Sequence, residues 1–199
     1  MASMKHVGVN VAADPLYTIS YCGVNGGLVL VAADDPGLYS SQNEQDTRMI
    51  ARSAHLTGID PSDSNEAKEF LKYAFEISEK YDTPVIFRTT TKLSHSQSIV
   101  DLGERVVPQD KVYERCVPKY VMMPASAIGR HKVVEARELK LEADASSMPI
   151  NVVEMNDKKI GFITSGIAYQ YVKEACPNAS VLKLGMVNPL PKQMIFDFV

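Results

Sequence analysis

The fold of this chain is decided by the stretch Gly27-Leu28-Val29-Leu30-Val31-Ala32-Ala33-Asp34-Asp35-Pro36-Gly37-Leu38-Tyr39-Ser40-Ser41-Gln42-Asn43-Glu44-Gln45-Asp46. The apolar run at its start predicts a buried strand, and the residues after that run contain almost no aliphatic side chains. In open α/β sheets, ligands bind in the crevice beyond the carboxyl ends of the strands. The polar segment is therefore a candidate site, and the alternative interpretation is a solvated turn built on Asp-Pro-Gly.

Helices and strands alternate on both sides of this stretch. A helical pattern runs from about Val9 to Gly23, the predicted strand covers Leu28 to Ala32, and Glu44 to His55 predicts the next helix. A further strand is predicted at Pro84 to Thr89. Strands that alternate with helices in this way indicate parallel βαβ units.

The helix before that second strand has the clearest pattern. Asp63 is a capping residue for its start, and Glu66, three residues later, completes the pattern of a capping box. Apolar residues then recur at helical spacing, which predicts that they pack on the sheet: Ala67, Phe70, Leu71, Ala74 and Phe75.

The strand pattern disappears in residues 104–147. Prolines interrupt this part, and Ala127 to Ala145 predicts one charged helix, which we interpret as a connector rather than a part of the core. Alternation returns with a strand at Lys159 to Gly166, a helix at Ile167 to Cys176 and a strand at Ser180 to Leu184. We therefore expect two α/β units, residues 1–103 and 148–199, with separate sheets and a helical connector at 104–147.

Composition and charge exclude several classes of protein. The net charge of −3 and the pI of about 5.8 indicate no basic surface for a nucleic-acid backbone. The longest apolar stretch, Gly26 to Ala33, is less than half of the roughly 20 residues that a membrane span needs. We therefore expect neither nucleic acid nor a membrane as a partner, and no secretory leader is visible.

The cysteines favour a reducing, cytoplasmic location. Cys22, Cys116 and Cys176 are odd in number and far apart, so they form neither a disulfide framework nor a Cys-x-x-Cys motif. We expect no metal ligands and no iron–sulfur cluster in this chain.

Four blocks of sequence, in the same order, resemble the large (alpha) subunit of the indolepyruvate:ferredoxin oxidoreductases. The blocks are Lys5-His6-Val7-Gly8-Val9-Asn10-Val11-Ala12-Ala13-Asp14-Pro15, then Ala33-Asp34-Asp35-Pro36 with Ser40-Ser41-Gln42-Asn43-Glu44-Gln45-Asp46, then Thr89-Thr90-Thr91-Lys92-Leu93-Ser94-His95-Ser96, and finally Leu182-Lys183-Leu184-Gly185. That family belongs to the thiamine-diphosphate-dependent 2-oxoacid:ferredoxin oxidoreductases.

The resemblance implies a fold and an activity. It implies a parallel, doubly wound domain of the pyrimidine-binding type in residues 1–103, followed from residue 148 by the beginning of a domain like the C-terminal domain of transketolase. The implied activity is oxidative decarboxylation of aryl-2-oxoacids, with coenzyme A as acyl acceptor and ferredoxin as electron acceptor. The implied assembly is oligomeric and contains a small beta subunit.

The resemblance also implies that parts of the family's machinery lie outside these residues. These parts are the glutamate that activates thiamine diphosphate, the domain that binds its diphosphate with Mg, and a cysteine-rich tail that holds iron–sulfur clusters. The apolar helical pattern of Gln193 to Val199 stops abruptly, as expected for a chain that has been cut. We expect this chain alone to be inactive.

Candidate site residues follow from their places in these blocks. Lys5 and His6 end the first strand-like piece, where they would hold a 2-oxoacid carboxylate or relay a proton; the alternative is a surface lysine and a histidine satisfied by the backbone. Arg48 is the candidate for binding the substrate carboxylate. The cofactor-binding candidates are Asn10, Asp34, Asp35, Ser41, Gln42, Asn43, Gln45 and Asp46.

Several of these candidates carry further expectations. Asp34 and Asp35 would be an acid/base pair if neighbouring carboxylates raised one pKa, whereas a turn at Pro36 is the simpler interpretation. We also expect Lys5, His6 and the segment from Asp34 to Asp46 to share one sheet edge. His6 and Asp46 would then be exposed, and alanine there would change stability by less than about 1 kcal/mol.

Two other functions fit the same pattern. A non-oxidative thiamine-dependent 2-oxoacid decarboxylase would have a similar pyrimidine-side domain. A non-catalytic assembly module could use the same fold, because fold alone does not determine function.

Overall fold

Helices and two β-sheets make up the protein, which is described by a computed structural model covering residues 1–108 and 110–199. The elements are β1 (Ala2–Lys5), α1 (His6–Val11), α2 (Ala13–Cys22), β2 (Val29–Asp34), α3 (Thr47–Ser53), β3 (Thr57–Ile59), α4 (Ser64–Tyr81), β4 (Val85–Thr90), α5 (Thr91–His95), α6 (Val117–Tyr120), α7 (Pro124–Ala145), β5 (Val152–Glu154), β6 (Asp157–Ser165), α8 (Ala168–Ala175), β7 (Ala179–Leu184), β8 (Met186–Asn188) and α9 (Lys192–Phe198). No helix among the described residues is long and apolar enough to cross a membrane.

The first sheet has the strand order β1-β2-β4-β3-β8. Its first four strands are parallel, and β8 pairs with β3 in the antiparallel direction. The chain passes from β2 to β3 and then returns to form β4, which lies between them in the sheet. Because these strands are parallel, their carboxyl ends lie along one edge of the sheet. This arrangement is the doubly wound α/β fold that the sequence predicts, with one antiparallel strand added.

Both faces of the first sheet are buried, which explains why the decisive strand looks uniformly apolar. Along β2, Val29 and Val31 pack into one core together with α4, whereas Leu30 and Ala32 pack into the other core against α1 and α3. Alternate side chains therefore serve opposite layers of helices.

Helix α4 confirms the predicted cap and apolar face. The Asp63 carboxylate accepts a hydrogen bond from Glu66 N at 2.8 Å. Glu66 reaches one residue further back than in a capping box and accepts from Ser62 N at 2.8 Å. The apolar stripe that begins at Ala67 and includes the buried Ala74 packs on the sheet.

The expectation that the helix in 104–147 stays out of the core is wrong. Helix α7 buries Val134, Leu141 and Ala145, and the last two belong to the main core. Arg137 is also buried, and its guanidinium donates to Ser20 O and to Asp82 O at 2.8 Å each. The buried stripe is narrow, and charged side chains surround it, so the sequence resembles a solvated connector.

The second sheet has the order β5-β7-β6, with β6 parallel and β5 antiparallel to β7. Residues 148–199 are not confined to this sheet, because β8 returns to the first one. The expectation of separate sheets therefore needs correction at β8, while the division into units remains a prediction. With three residues, β8 is too short to show a sequence period.

The passage from β7 to β8 is tightly packed at Gly185. Gly185 N donates to Ile150 O and to Asn151 Oδ1, both at 3.0 Å, and Gly185 O accepts from Asp60 N at 2.9 Å. Nearby, Lys183 of β7 forms an ion pair with Glu66 of α4. These contacts join the two sheets.

Candidate functional site

The carboxyl ends of β1, β2, β4 and β3 lie along one edge of the first sheet. We call this the carboxyl edge. Polar or charged residues occur at or directly after each strand end: His6 after β1, Asp34 and Asp35 at β2, Thr90 at β4 and Asp60 after β3.

The structure brings Lys5 and His6 together with the polar loop, residues 35–46, as expected. Lys5 Nζ donates to Ser40 O and lies 3.6 Å from the Asp35 carboxylate. His6 Nε2 lies 3.1 Å from Asn43 O. Both residues therefore hold the loop against the end of β1, while their catalytic roles remain predictions.

His6 is buried, which corrects the expectation that it is exposed. Its side chain is 0% exposed, and Nδ1 has no hydrogen-bond partner among the described residues. A carbonyl oxygen only accepts hydrogen bonds, so the contact with Asn43 O places a proton on Nε2. Alanine at this position would open a cavity and remove a loop contact, with an expected cost above the 1 kcal/mol that an exposed residue suggests.

Asp35 anchors the polar loop. Its carboxylate accepts from Ser41 Oγ at 2.6 Å, from Ser40 N at 2.8 Å and from Thr91 Oγ1 at 2.8 Å. The hydrogen bond from Ser41, with those from Ser40 and Thr91 and the charge of Lys5, holds the pKa of Asp35 well below its usual range. This lowered pKa and the hydrogen bonds to the loop favour the interpretation of a turn that Asp35 anchors, while the acid/base pair with Asp34 remains a prediction.

Asp35→Asn should loosen the polar loop. The amide replaces one acceptor oxygen with a donor that faces other donors, so the bonds to Ser40 and Ser41 weaken. We expect amide exchange at Ser40 to become about tenfold faster, as measured by hydrogen–deuterium exchange. Asp14→Asn, the same change at an exposed site on α2, is the control. Equal exchange in both variants would contradict the anchoring role.

Asp34 belongs to a buried ion-pair hub, which consists of Asp34, Asp60 and Arg88. Arg88 Nε donates to Asp34 Oδ2 at 2.7 Å, and Nη1 donates to Asp60 Oδ2 at 3.0 Å. Asp34 Oδ2 also accepts from Thr47 N and Oγ1 at 3.1 Å each, which ties the hub to the start of α3. Oδ1 of Asp34 is buried without a partner in the described part of the chain.

The hub also reaches the second sheet. Ser165 at the end of β6 donates to Asp60 Oδ2 at 3.3 Å. Burial raises the pKa of Asp60, and the charge of Arg88 opposes that shift. Sequence reasoning missed Arg88 and Asp60. The available signal was an arginine in an otherwise apolar strand, since a buried arginine needs carboxylate partners.

Asp46 and Arg48 form a close pair at the start of α3. Asp46 caps the helix by accepting from Arg48 N at 3.0 Å, so α3 begins at Thr47 rather than at the predicted Glu44. Arg48 Nη2 donates to the same carboxylate at 2.7 Å. Burial alone would raise the pKa of Asp46, but the hydrogen bonds and charge of Arg48 lower it.

The remaining candidates do not converge on one point. Ser41 binds Asp35, and Gln45 Nε2 donates to Asn43 Oδ1 at 2.8 Å. Asn10 and Gln42 are exposed. These positions suit contact with a neighbouring molecule better than a closed pocket.

A cavity of about 260 Å³ lies where the carboxyl edge meets the second sheet. We call it the boundary pocket. Its wall combines apolar groups with three basic side chains, those of Arg48, Arg88 and Lys92, and its lining also includes Asp60, Ser165 and Tyr171. A neighbouring cavity of about 540 Å³ shares Arg48 and Ser165 with it.

Comparison with known proteins gives three results. No family model matches the chain. The indolepyruvate oxidoreductase subunit IorA of Pyrococcus abyssi is 45% identical over 100% of this chain, and its counterparts in Archaeoglobus fulgidus and Methanothermobacter thermautotrophicus are 42% and 40% identical over 100% and 98%. The chain spans about a third of the length of these relatives.

A solved structure supports the fold. The 2-oxoglutarate:ferredoxin oxidoreductase of Magnetococcus marinus, solved with 2-oxoglutarate, coenzyme A and succinyl-CoA bound, matches 98% of this chain and 43% of its own with a TM-score of 0.68 at 12% identity. At 12% sequence identity, this match is evidence for the fold alone. From the sequence comparison, the chain is homologous over its whole length to a segment of the indolepyruvate oxidoreductase subunit IorA.

Proposed function

We propose that this chain is part of the large subunit of a thiamine-diphosphate-dependent 2-oxoacid:ferredoxin oxidoreductase. In the complete enzyme an aryl-2-oxoacid such as indolepyruvate loses CO₂, coenzyme A accepts the acyl group, and ferredoxin accepts the electrons. The identity of 40–45% with curated IorA subunits across the chain carries this proposal. A small partner subunit and an oligomeric assembly belong to the same proposal.

The residues present do not fit a complete thiamine diphosphate site. The cofactor needs an accessible carboxylate beside its aminopyrimidine ring, whereas the carboxylates of Asp34, Asp35 and Asp60 on the carboxyl edge are buried and each accepts a hydrogen bond from a protein donor. Among the described residues, no group of three or more His, Cys, Asp or Glu is arranged to hold the metal for the diphosphate. We propose that residues of the complete subunit outside these 199 bind most of the cofactor, and that iron–sulfur clusters also lie there.

Within the proposal, the carboxyl edge contributes to the wall of the active-site cleft. Lys5 supplies a partly exposed cation, and His6 positions the polar loop through Asn43. Arg48 is the proposed contact for the substrate carboxylate. The ion-pair hub holds Arg48 in place indirectly, because Asp34 fixes the start of α3.

We expect the complete enzyme to be active and the 199-residue chain alone to be inactive. The full-length subunit with its partner should reduce ferredoxin when it is given indolepyruvate and coenzyme A, with lower kcat/KM for pyruvate. The 199-residue chain alone should give no turnover, and calorimetry with thiamine diphosphate and Mg should detect weak or no binding.

Each competing function has its own outcome in this experiment. CO₂ release by the full-length protein without coenzyme A or an electron acceptor would identify a non-oxidative decarboxylase. An absence of both turnover and cofactor binding in the full-length protein would identify an assembly module. Micromolar binding of thiamine diphosphate by the 199-residue chain would contradict the proposed location of the cofactor site.

A further inference from the structure

The basic side chains that line the boundary pocket differ in whether a carboxylate is already paired with them. Arg48 is paired with Asp46, and Arg88 is paired with Asp34 and Asp60. Lys92, by contrast, forms no ion pair within residues 1–108 and 110–199, and its Nζ lies 5.0 Å from the centre of the Tyr171 ring. The pocket therefore contains one cation whose charge no carboxylate of the described residues neutralises.

Arg88 adds a donor that is fixed in direction. The residue is 8% exposed, and Asp34 and Asp60 hold its Nε and Nη1. Its Nη2 donates no hydrogen bond to a described residue. Because two buried carboxylates already orient the guanidinium, its remaining N–H groups lose little freedom when they bind a ligand.

The second unit supplies further features that favour a bound anion. Ser165, Ile167 and Ala168 line the pocket at the start of α8, and this helix has eight residues. Tyr169 N and Gln170 N donate to Gly166 O and Ile167 O at 3.1 Å each, so these N–H groups are not available to a ligand, whereas the helix dipole is positive at this end. The Tyr171 side chain lies beside Lys92 and adds a hydroxyl group.

The size of the cavity limits what fits. Ligand pockets for whole drug-sized molecules occupy about 300–1,000 Å³. The boundary pocket, at about 260 Å³, is below that range and suits a small anion or the anionic end of a larger molecule. The adjoining cavity of about 540 Å³ gives the rest of such a molecule space beside Arg48 and Ser165.

We propose that the boundary pocket is an oxyanion site, in which Lys92, Arg88 Nη2 and the Tyr171 hydroxyl bind the phosphate or carboxylate group of a ligand. Both groups present acceptor oxygens that match guanidinium and ammonium donors. The source of the oxyanion, a 2-oxoacid or a phosphorylated cofactor, rests on the proposed function, whereas the site itself does not.

Calorimetry on the 199-residue chain tests this site without any turnover. The probes are inorganic phosphate and indolepyruvate at constant ionic strength. Lys92→Gln should weaken binding of the preferred probe by about tenfold, because a charge-assisted hydrogen bond is lost. Lys92→Arg should keep the affinity within about threefold, because the positive charge remains. Lys72→Gln, the same loss of charge on exposed α4, should leave the affinity unchanged.

Each outcome of this experiment either supports the site or overturns it. Tighter binding of phosphate identifies a phosphorylated ligand. Tighter binding of indolepyruvate identifies a 2-oxoacid, whose carboxylate Lys92 and Arg88 would then bind in place of Arg48; either result supports the site. Wild-type protein that binds neither probe overturns the proposal, as does a Lys92→Gln variant that binds like Lys72→Gln. Because binding is measured on this chain alone, a failure here is distinct from a full-length enzyme that fails to reduce ferredoxin.

Discussion

Arg88→Met should lower the free energy of unfolding by about 3–5 kcal/mol, because breaking a buried ion pair leaves its partner charge uncompensated. Here two carboxylates, Asp34 and Asp60, lose their common cation. Methionine fills a similar volume, so the lost charge rather than a cavity dominates the change. Urea unfolding followed by circular dichroism measures the effect.

The matched control is Arg105→Met, the same change at an exposed position, where we expect an effect within about 0.5 kcal/mol. If Arg88→Met does not fold, the triple variant Arg88→Met with Asp34→Asn and Asp60→Asn keeps the prediction testable. Removing both uncompensated charges should recover a cooperative transition. A single variant within about 1 kcal/mol of wild type would show that the hub contributes little to stability.

Gly185→Ala should destabilise the protein by about 3 kcal/mol through overpacking. A Cβ atom at this position would lie 2.3 Å from Ile150 O and 2.8 Å from Phe70 Cε2. The backbone cannot shift freely, because Gly185 donates to Ile150 O and accepts from Asp60 N. The midpoint of thermal unfolding provides the measurement.

Gly129→Ala is the control with the opposite expected sign. Gly129 lies in α7, and the space that a Cβ atom would occupy there is open, with no neighbouring atom of the described residues within 4 Å. Alanine should therefore raise helix stability by up to about 1 kcal/mol. A midpoint that stays unchanged or rises in Gly185→Ala would contradict the close packing between β7 and β8.

The helices and strands that the sequence predicts are those whose own residues form a recognisable pattern. Strand β2 is a continuous apolar run, and α4 has both a capping residue and a broad apolar stripe. Strands β3, β5 and β8 have three residues each, too few for a sequence period, so pairing with distant strands determines them.

The candidate site also has one part that its own sequence indicates and another part that depends on distant residues. The polar loop was predictable, because a polar segment after a buried strand belongs to the carboxyl edge. The ion-pair hub was not, because Asp34, Asp60 and Arg88 are far apart in sequence and meet only after β4 inserts between β2 and β3. The boundary pocket needs both units, so no single segment indicates it.

The antiparallel pairing of β8 with β3 has a consequence for the order of folding. During synthesis, the first sheet remains incomplete until residues 186–188 leave the ribosome. Until then, β3 is an open edge strand whose backbone groups can pair with another chain. A polypeptide that ends at residue 147 would keep that edge permanently open and should aggregate more readily than the 199-residue chain.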